Sequence, residues 1–134
     1  MANFVVANLL GGAVVKGISL DVDPAKPLCH IRTGEGAVKV QLAEVKALFF
    51  VRDLAGDPAR NDAQDLATDD PRQRGATVVE VEFKDGERIV AFTNRYPPRG
   101  AFYFVVPVDP ASNNSRILIN SAAVASLRQW PPGS

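Results

Sequence analysis

The chain has 134 residues, 15 basic and 15 acidic side chains, a formal net charge of zero and an apolar share of 46%, which fits one domain, or two very small ones, around a modest core. That charge balance argues against proteins that grip phosphate backbones or anionic membranes, since these are usually markedly basic. The lone Cys29 excludes a scaffold stapled by internal disulfides.

The first stretch, Met1-Ala-Asn-Phe-Val-Val-Ala-Asn-Leu-Leu-Gly-Gly12, has no basic leading segment. Its apolar run is too short, and too interrupted by Asn, for a signal peptide or a membrane span. The expectation is a cytoplasmic protein without a membrane partner. Phe4 to Leu10 reads as a strand, Gly11-Gly12 as its turn and Ala13 to Val22 as the return, followed by a third strand from Leu28 to Arg32. Thr33-Gly-Glu-Gly36 connects to further apolar positions at Val38, Val40, Val45 and Leu48.

Residues 55–76 follow, polar, acidic on balance and punctuated by Gly and Pro, which predicts a long linker with one helical turn near Asn61 to Ala67. Beyond it, Val79, Val81 and Phe83 alternate with Glu80, Glu82 and Lys84, the period of a half-buried strand. Asp85-Gly86 supplies the hairpin turn, because glycine tolerates the positive φ that the turn requires. Arg88 to Phe92 is the partner strand, and Phe102 to Val106 the next.

Sliding the first half forward by 74 positions places Val5 on Val79, Ala7 on Val81, Leu9 on Phe83, Gly12 on Gly86, Val15 on Ile89 and Pro24 on Pro98. After the third strand the second half is about five residues longer. With that insertion Val38 meets Ile117, Val40 meets Ile119, Val45 meets Val124 and Leu48 meets Leu127. Alternation alone would recur in any two β meanders. The coincident turn glycine and proline favour an internal duplication, whose halves are each small enough to need a face buried against the other.

The expected architecture is therefore all-β, a tandem repeat of two five-stranded SH3-like or Sm-like small barrels, with one merged ten-stranded split barrel as the alternative. The units are residues 1–54 and 77–130, joined by 55–76 and ending in a frayed tail at 131–134. Lys46 to Arg52 fits a strand shared between the units, because Leu48, Phe49, Phe50 and Val51 run unbroken and call for cover on both faces. Its counterpart, Leu127-Arg-Gln-Trp130, is more polar, so Phe49 is expected in an interface that Arg128 does not share.

Three segments, Lys46-Ala-Leu-Phe-Phe-Val-Arg-Asp-Leu54, Phe83-Lys-Asp-Gly-Glu87 and Pro107-Val-Asp-Pro-Ala-Ser-Asn-Asn-Ser-Arg116, resemble a bacterial family of uncharacterised domains. The resemblance spans most of the chain, implies a domain that stands alone or beside signalling modules, and transfers no catalytic residue. More distantly, Gly17-Ile-Ser-Leu-Asp-Val-Asp23 is similar to the Sm-like segment that reads RNA bases. Asp23 stands where that pattern has Asn, and the Ile-Arg-Gly-like second signature is missing. The spacing of Arg72-Gln-Arg74 also departs from cyclic-dinucleotide readers of the PilZ type.

No catalytic constellation emerges. His30 has no second His or Cys to complete a metal site, and its alignment with Phe104 predicts a core or near-core position. Asp21 and Asp23 share one side of an extended strand and are a candidate carboxylate pair, or a solvated strand end. No cofactor and no metal is expected. The candidate binding surface comprises Phe49, the Arg95, Tyr96 and Arg99 bend, and the loop residues Asp109, Ser112, Asn113, Asn114 and Arg116, whose side chains suit either internal loop bonds or a partner. The leading expectation is a non-enzymatic binding or scaffolding module acting through protein contacts. Nucleic-acid or nucleotide binding by the arginine and aromatic surface is the alternative. Edge-strand pairing between copies is a further route to a homo-oligomer.

Overall fold

A computed structural model describes residues 3–54, 77–109 and 112–129. The linker with its helical turn at 61–67, Arg72 and Arg74, Trp130 and the tail at 131–134 lie outside the described residues.

Ten strands form: β1 (Asn3–Leu9), β2 (Val14–Ser19), β3 (Leu28–Thr33), β4 (Gly36–Gln41), β5 (Val45–Val51), β6 (Thr77–Phe83), β7 (Arg88–Thr93), β8 (Phe102–Pro107), β9 (Asn114–Asn120) and β10 (Val124–Gln129). Single 3-10 turns at Leu42–Glu44 and Ser121–Ala123 precede β5 and β10, and no α-helix occurs among the described residues. The fold is all-β: every pairing is antiparallel and the strands make one open sheet in the order β10-β6-β7-β8-β9-β5-β1-β2-β3-β4. The return strand expected over Ala13 to Val22 is shorter, ending at Ser19.

Read from either half, the strand order is the same, β5-β1-β2-β3-β4 and β10-β6-β7-β8-β9. Element starts recur at the expected spacing: Asn3 and Thr77, Val14 and Arg88, Leu28 and Phe102 lie 74 apart, and Val45 and Val124 lie 79 apart. Individual bonds recur too. Leu10 N–H donates to Glu44 O at 2.8 Å, and Lys84 N–H donates to Ala123 O at 2.9 Å. Gly12 and Gly86 close the matching hairpins with φ of 96° and 95°, a region that favours glycine because a Cβ is strained there.

Where the halves meet, β9 pairs with β5, Phe49 opposite Ile117 and Leu48 opposite Leu118. Because side chains alternate along a strand, both strands feed two cores. Leu48, Phe50 and Leu118 join Val5, Ala7, Ile31 and Val40 on one side. Ala47, Phe49, Val51, Ile117 and Ile119 join Val79, Val81 and Phe83 on the other. The unbroken apolar run of β5 is therefore covered on both faces, and each half completes the other's core.

Candidate functional site

Phe49, on the shared strand, is buried in the second core beside Val79 and Val81 and is not presented to solvent. Across the seam, Arg116 lies opposite Phe50. Its guanidinium carbon stacks 4.2 Å from the Phe50 ring centre and 4.7 Å from that of Phe104, while the two rings sit 5.9 Å apart. Arg116 thus lids the first core through cation–π contact.

The loop before β9 is spent on the same seam. Asn113 accepts from Asp53 N at 3.0 Å and donates Nδ2–H to Asp53 O at 2.8 Å. Its own carbonyl accepts from Arg52 N at 2.9 Å, so its amide extends the β5–β9 pairing past the strand end. Ser112 is buried and accepts from Asn114 N through its hydroxyl at 3.0 Å. Its N–H donates to Asp109 O at 3.1 Å, and its carbonyl accepts from Arg52 Nη1 at 3.0 Å. The Ser112 and Asn113 side chains therefore bond within the loop and the seam, whereas Asp109 and Asn114 join these bonds through main-chain groups. Arg95, Tyr96 and Arg99 occupy the exposed bend between β7 and β8. No hydrogen bond, ion pair or ring contact joins them to Arg116 among the described residues, whereas Arg116 does meet Phe104 of the aromatic strand.

His30 corrects the expectation drawn from Phe104. It is exposed, and Cys29 is the buried member of the pair. Phe104 faces the first core across the seam, whereas the matching side of β3 has no second unit against it. His30 Nδ1–H donates to Asp21 Oδ2 at 2.7 Å, and its backbone N–H donates to Asp21 Oδ1 at 2.8 Å. The backbone bond, then the ring bond, hold the Asp21 carboxyl below the usual carboxylate range. Asp23 instead accepts from Ala25 N at 2.9 Å, so Asp21 and Asp23 have separate partners and do not act as a pair. Burial first, and then the Asp21 charge, push the Cys29 thiol up to about 11. Among the described residues no group of three or more His, Cys, Asp and Glu could hold a metal ion, and no helix is long and apolar enough to cross a membrane.

The surface that sequence reasoning missed is the outer face of the first half. Cross-strand partners share a face, so the pairs Phe4–Ile18, Val6–Lys16, Ile18–Arg32, Arg32–Ala37 and His30–Lys39 place these side chains together. Phe4 is 44% exposed and Ile18 37%. Their counterparts Val78 and Phe92 are buried and half-buried, packed with Val90 and Val108. No carboxylate pairs with Lys16, Arg32 or Lys39 among the described residues. One signal was available: Phe4-Val-Val-Ala7 is as unbroken as the Leu48 to Val51 run and equally asks for cover on both faces.

A family model described as a family of unknown function (DUF6982) matches residues 1–130. No curated protein and no solved structure matches the chain.

Proposed function

The chain belongs to that family of unknown function, so its role is read from its own surface, and we propose that it is a non-enzymatic binding module that holds a protein partner on the outer face of its first half. We infer further that each five-strand unit is a small SH3-like or Sm-like barrel, copied once and laid side by side. The support for that form is the repeated strand order and the single β2–β3 pair, Ile18 with Arg32, at a close approach centred on Gly17.

The observation that carries the binding role is the unequal cover of matching faces. Phe4, Val14 and Ile18 are exposed in the first half, whereas the second half has covered Val78 and Phe92, and has Arg88 in the place of Val14. Exposed apolar side chains grouped with cations on one sheet face suit a partner surface. The buried, unpaired Cys29 fits a reducing cytoplasm, and a place beside signalling modules fits the family resemblance.

Nucleic-acid binding is the second reading, favoured by Lys16, Arg32 and Lys39 on one face. It has less support, because the Arg116 guanidinium is already stacked on Phe50 and Phe104, and Phe4 stands on that face among aliphatic side chains, Val14 and Ile18, that cannot stack bases. Affinity capture from the source cell's extract, with the wild type beside a Phe4→Glu, Ile18→Glu double variant, separates the two. A protein retained by the wild type and lost by the variant supports the module. Nuclease-sensitive, salt-sensitive capture supports the second reading. Equal capture by both chains overturns the assignment to this face.

A further inference from the structure

Resting on the binding-module reading, we propose that the free edge of β4 receives an extended segment of another protein in which acidic residues alternate with bulky apolar ones. β4 ends the sheet and has one neighbour, β3, among the described residues. An edge of this kind presents unpaired main-chain groups that an added strand can satisfy.

The molecule contains its own precedent. β9 is the counterpart of β4 and takes β5 as an added antiparallel strand at the seam. The pairs there set the chemistry expected at β4. Ile117 and Ile119 correspond to Val38 and Val40, and they face Phe49 and Ala47. An incoming strand therefore places apolar side chains opposite Val38, which is 37% exposed, and Val40. Leu118 corresponds to Lys39, so the residue between them meets an exposed cation instead of a leucine. Lys16 and Arg32 lie on the same face as Lys39 and have no carboxylate partner among the described residues. Acidic side chains on that face of the added strand supply the missing charge.

A shallow, open depression lies next to this edge, with Val14, Val15 and Val38 among its lining. β2 and β3 share a single pair and part beyond it. The depression runs between Val14 to Lys16 and the Thr33 to Glu35 turn, with Val38 on its rim.

A second copy of the chain fits the edge poorly. The strand it would offer is β10, the counterpart of β5. In the register of the seam, β10 brings Arg128 opposite Val38 and Leu127 opposite Lys39. Arg128 is already bonded to Glu80 at 2.5 Å. Pairing with β4 would turn this cation toward the first core and leave Lys39 without an acid.

The test is a nuclear magnetic resonance titration of the isotope-labelled full chain with a blocked heptapeptide, Thr-Ile-Glu-Phe-Glu-Ile-Thr. Saturable shifts concentrated on the amides of residues 36–41 and on Val14 to Lys16 are expected. Lys39→Glu should weaken binding about tenfold, since one attractive cross-strand pair becomes a repulsive one, and Lys39→Gln should fall between. A peptide with lysine in place of glutamate should prefer the Lys39→Glu chain. Shifts that avoid β4, equal affinity for the wild type and Lys39→Glu, or no saturation at millimolar peptide would overturn the proposal. If the peptide fails while the Phe4, Ile18 double variant still loses a protein partner, the edge inference falls and the binding module stands. If the capture assay returns nucleic acid instead, both fall.

Discussion

Arg128 holds in β10 the place that Phe49 holds in β5, 79 positions earlier, and the exchange of ring for guanidinium marks where the sheet stops. Phe49 lies opposite Val6 and is covered by the second core. Arg128 lies opposite Glu80, the counterpart of Val6. Glu80 is 2% exposed and bonds Arg128 at 2.5 Å and Arg88 at 3.1 Å. Arg88 in turn stands where the first half has Val14. The apolar pair Phe49 and Val6 at the seam, with exposed Val14 beyond it, is thus replaced by an ionic trio on the far unit.

Removing both cations should hurt more than removing the acid. Arg88→Ala with Arg128→Ala strands a buried carboxylate and should destabilise the chain by about 3 kcal/mol in urea unfolding. Glu80→Val leaves two half-exposed arginines that water can solvate, and it should change stability by less than about 1 kcal/mol. The triple variant Glu80→Val, Arg88→Val, Arg128→Phe copies the first half's residues onto the outer edge. Its mass by light scattering should rise with concentration, while the wild type's should not.

Asn113→Ala should lower stability by about 1–2 kcal/mol, because it deletes one acceptor and one donor for the Asp53 backbone. Asn113→Asp should recover only part of this loss, since a carboxylate accepts from Asp53 N but cannot donate to Asp53 O. Thermal unfolding of the three chains distinguishes a structural loop from a ligand loop, for which stability would be insensitive to all of them.

Gly17→Ala should be severe and Gly11→Ala mild. A Cβ on Gly17 would sit 2.1 Å from Arg32 O, a backbone atom that moves only with β3. The cost should exceed about 2 kcal/mol, in the range of overpacked cores. At Gly11 a Cβ meets nothing within 4 Å, so the change should stay within about 0.5 kcal/mol. Equilibrium denaturation of both variants checks the contrast.

Cys29 should resist a thiol reagent at pH 8 in the folded chain and react at once in denaturant, because it is buried and its thiol is held protonated. Its ordinary value of 9.0 is raised to about 11 by burial and then by Asp21. The folded state therefore binds this proton more tightly than the unfolded state does. The resulting stability is fully present below pH 9 and is lost as pH rises through about 11. Cys29→Ala should flatten that alkaline decline in a pH series of urea melts.

A tie between the halves should respond in the opposite direction. Lys46, on β5, bonds Asp85 at 2.7 Å and also Glu87, both at the β6–β7 turn. The Lys46 bond first, then the Glu87 N–H, hold the exposed Asp85 carboxyl below its ordinary 3.8. This contribution is present above that value and is lost as pH falls through the lowered one. Asp85→Asn should reduce the acid-side loss of stability, and raised salt should do the same in the wild type, because the carboxylate side of the pair is exposed.

The amino-acid order alone determined the strands, their turns and the two-fold recurrence. A period of two in Val79, Val81 and Phe83, glycines at 12 and 86, and an unbroken Leu48 to Val51 are local signals, because each depends on the backbone geometry of neighbouring residues and not on a distant partner. The same order leaves open what lies against each strand's second face. His30 and Phe104 occupy equivalent places, yet one meets solvent and the other a neighbouring core. Glu80 reads as an outward charge in an alternating strand, but it is enclosed because Arg88 and Arg128 arrive beside it from β7 and β10. Only the packing of distant segments decides such cover, since burial depends on the neighbour that reaches a face and not on the residue that points there.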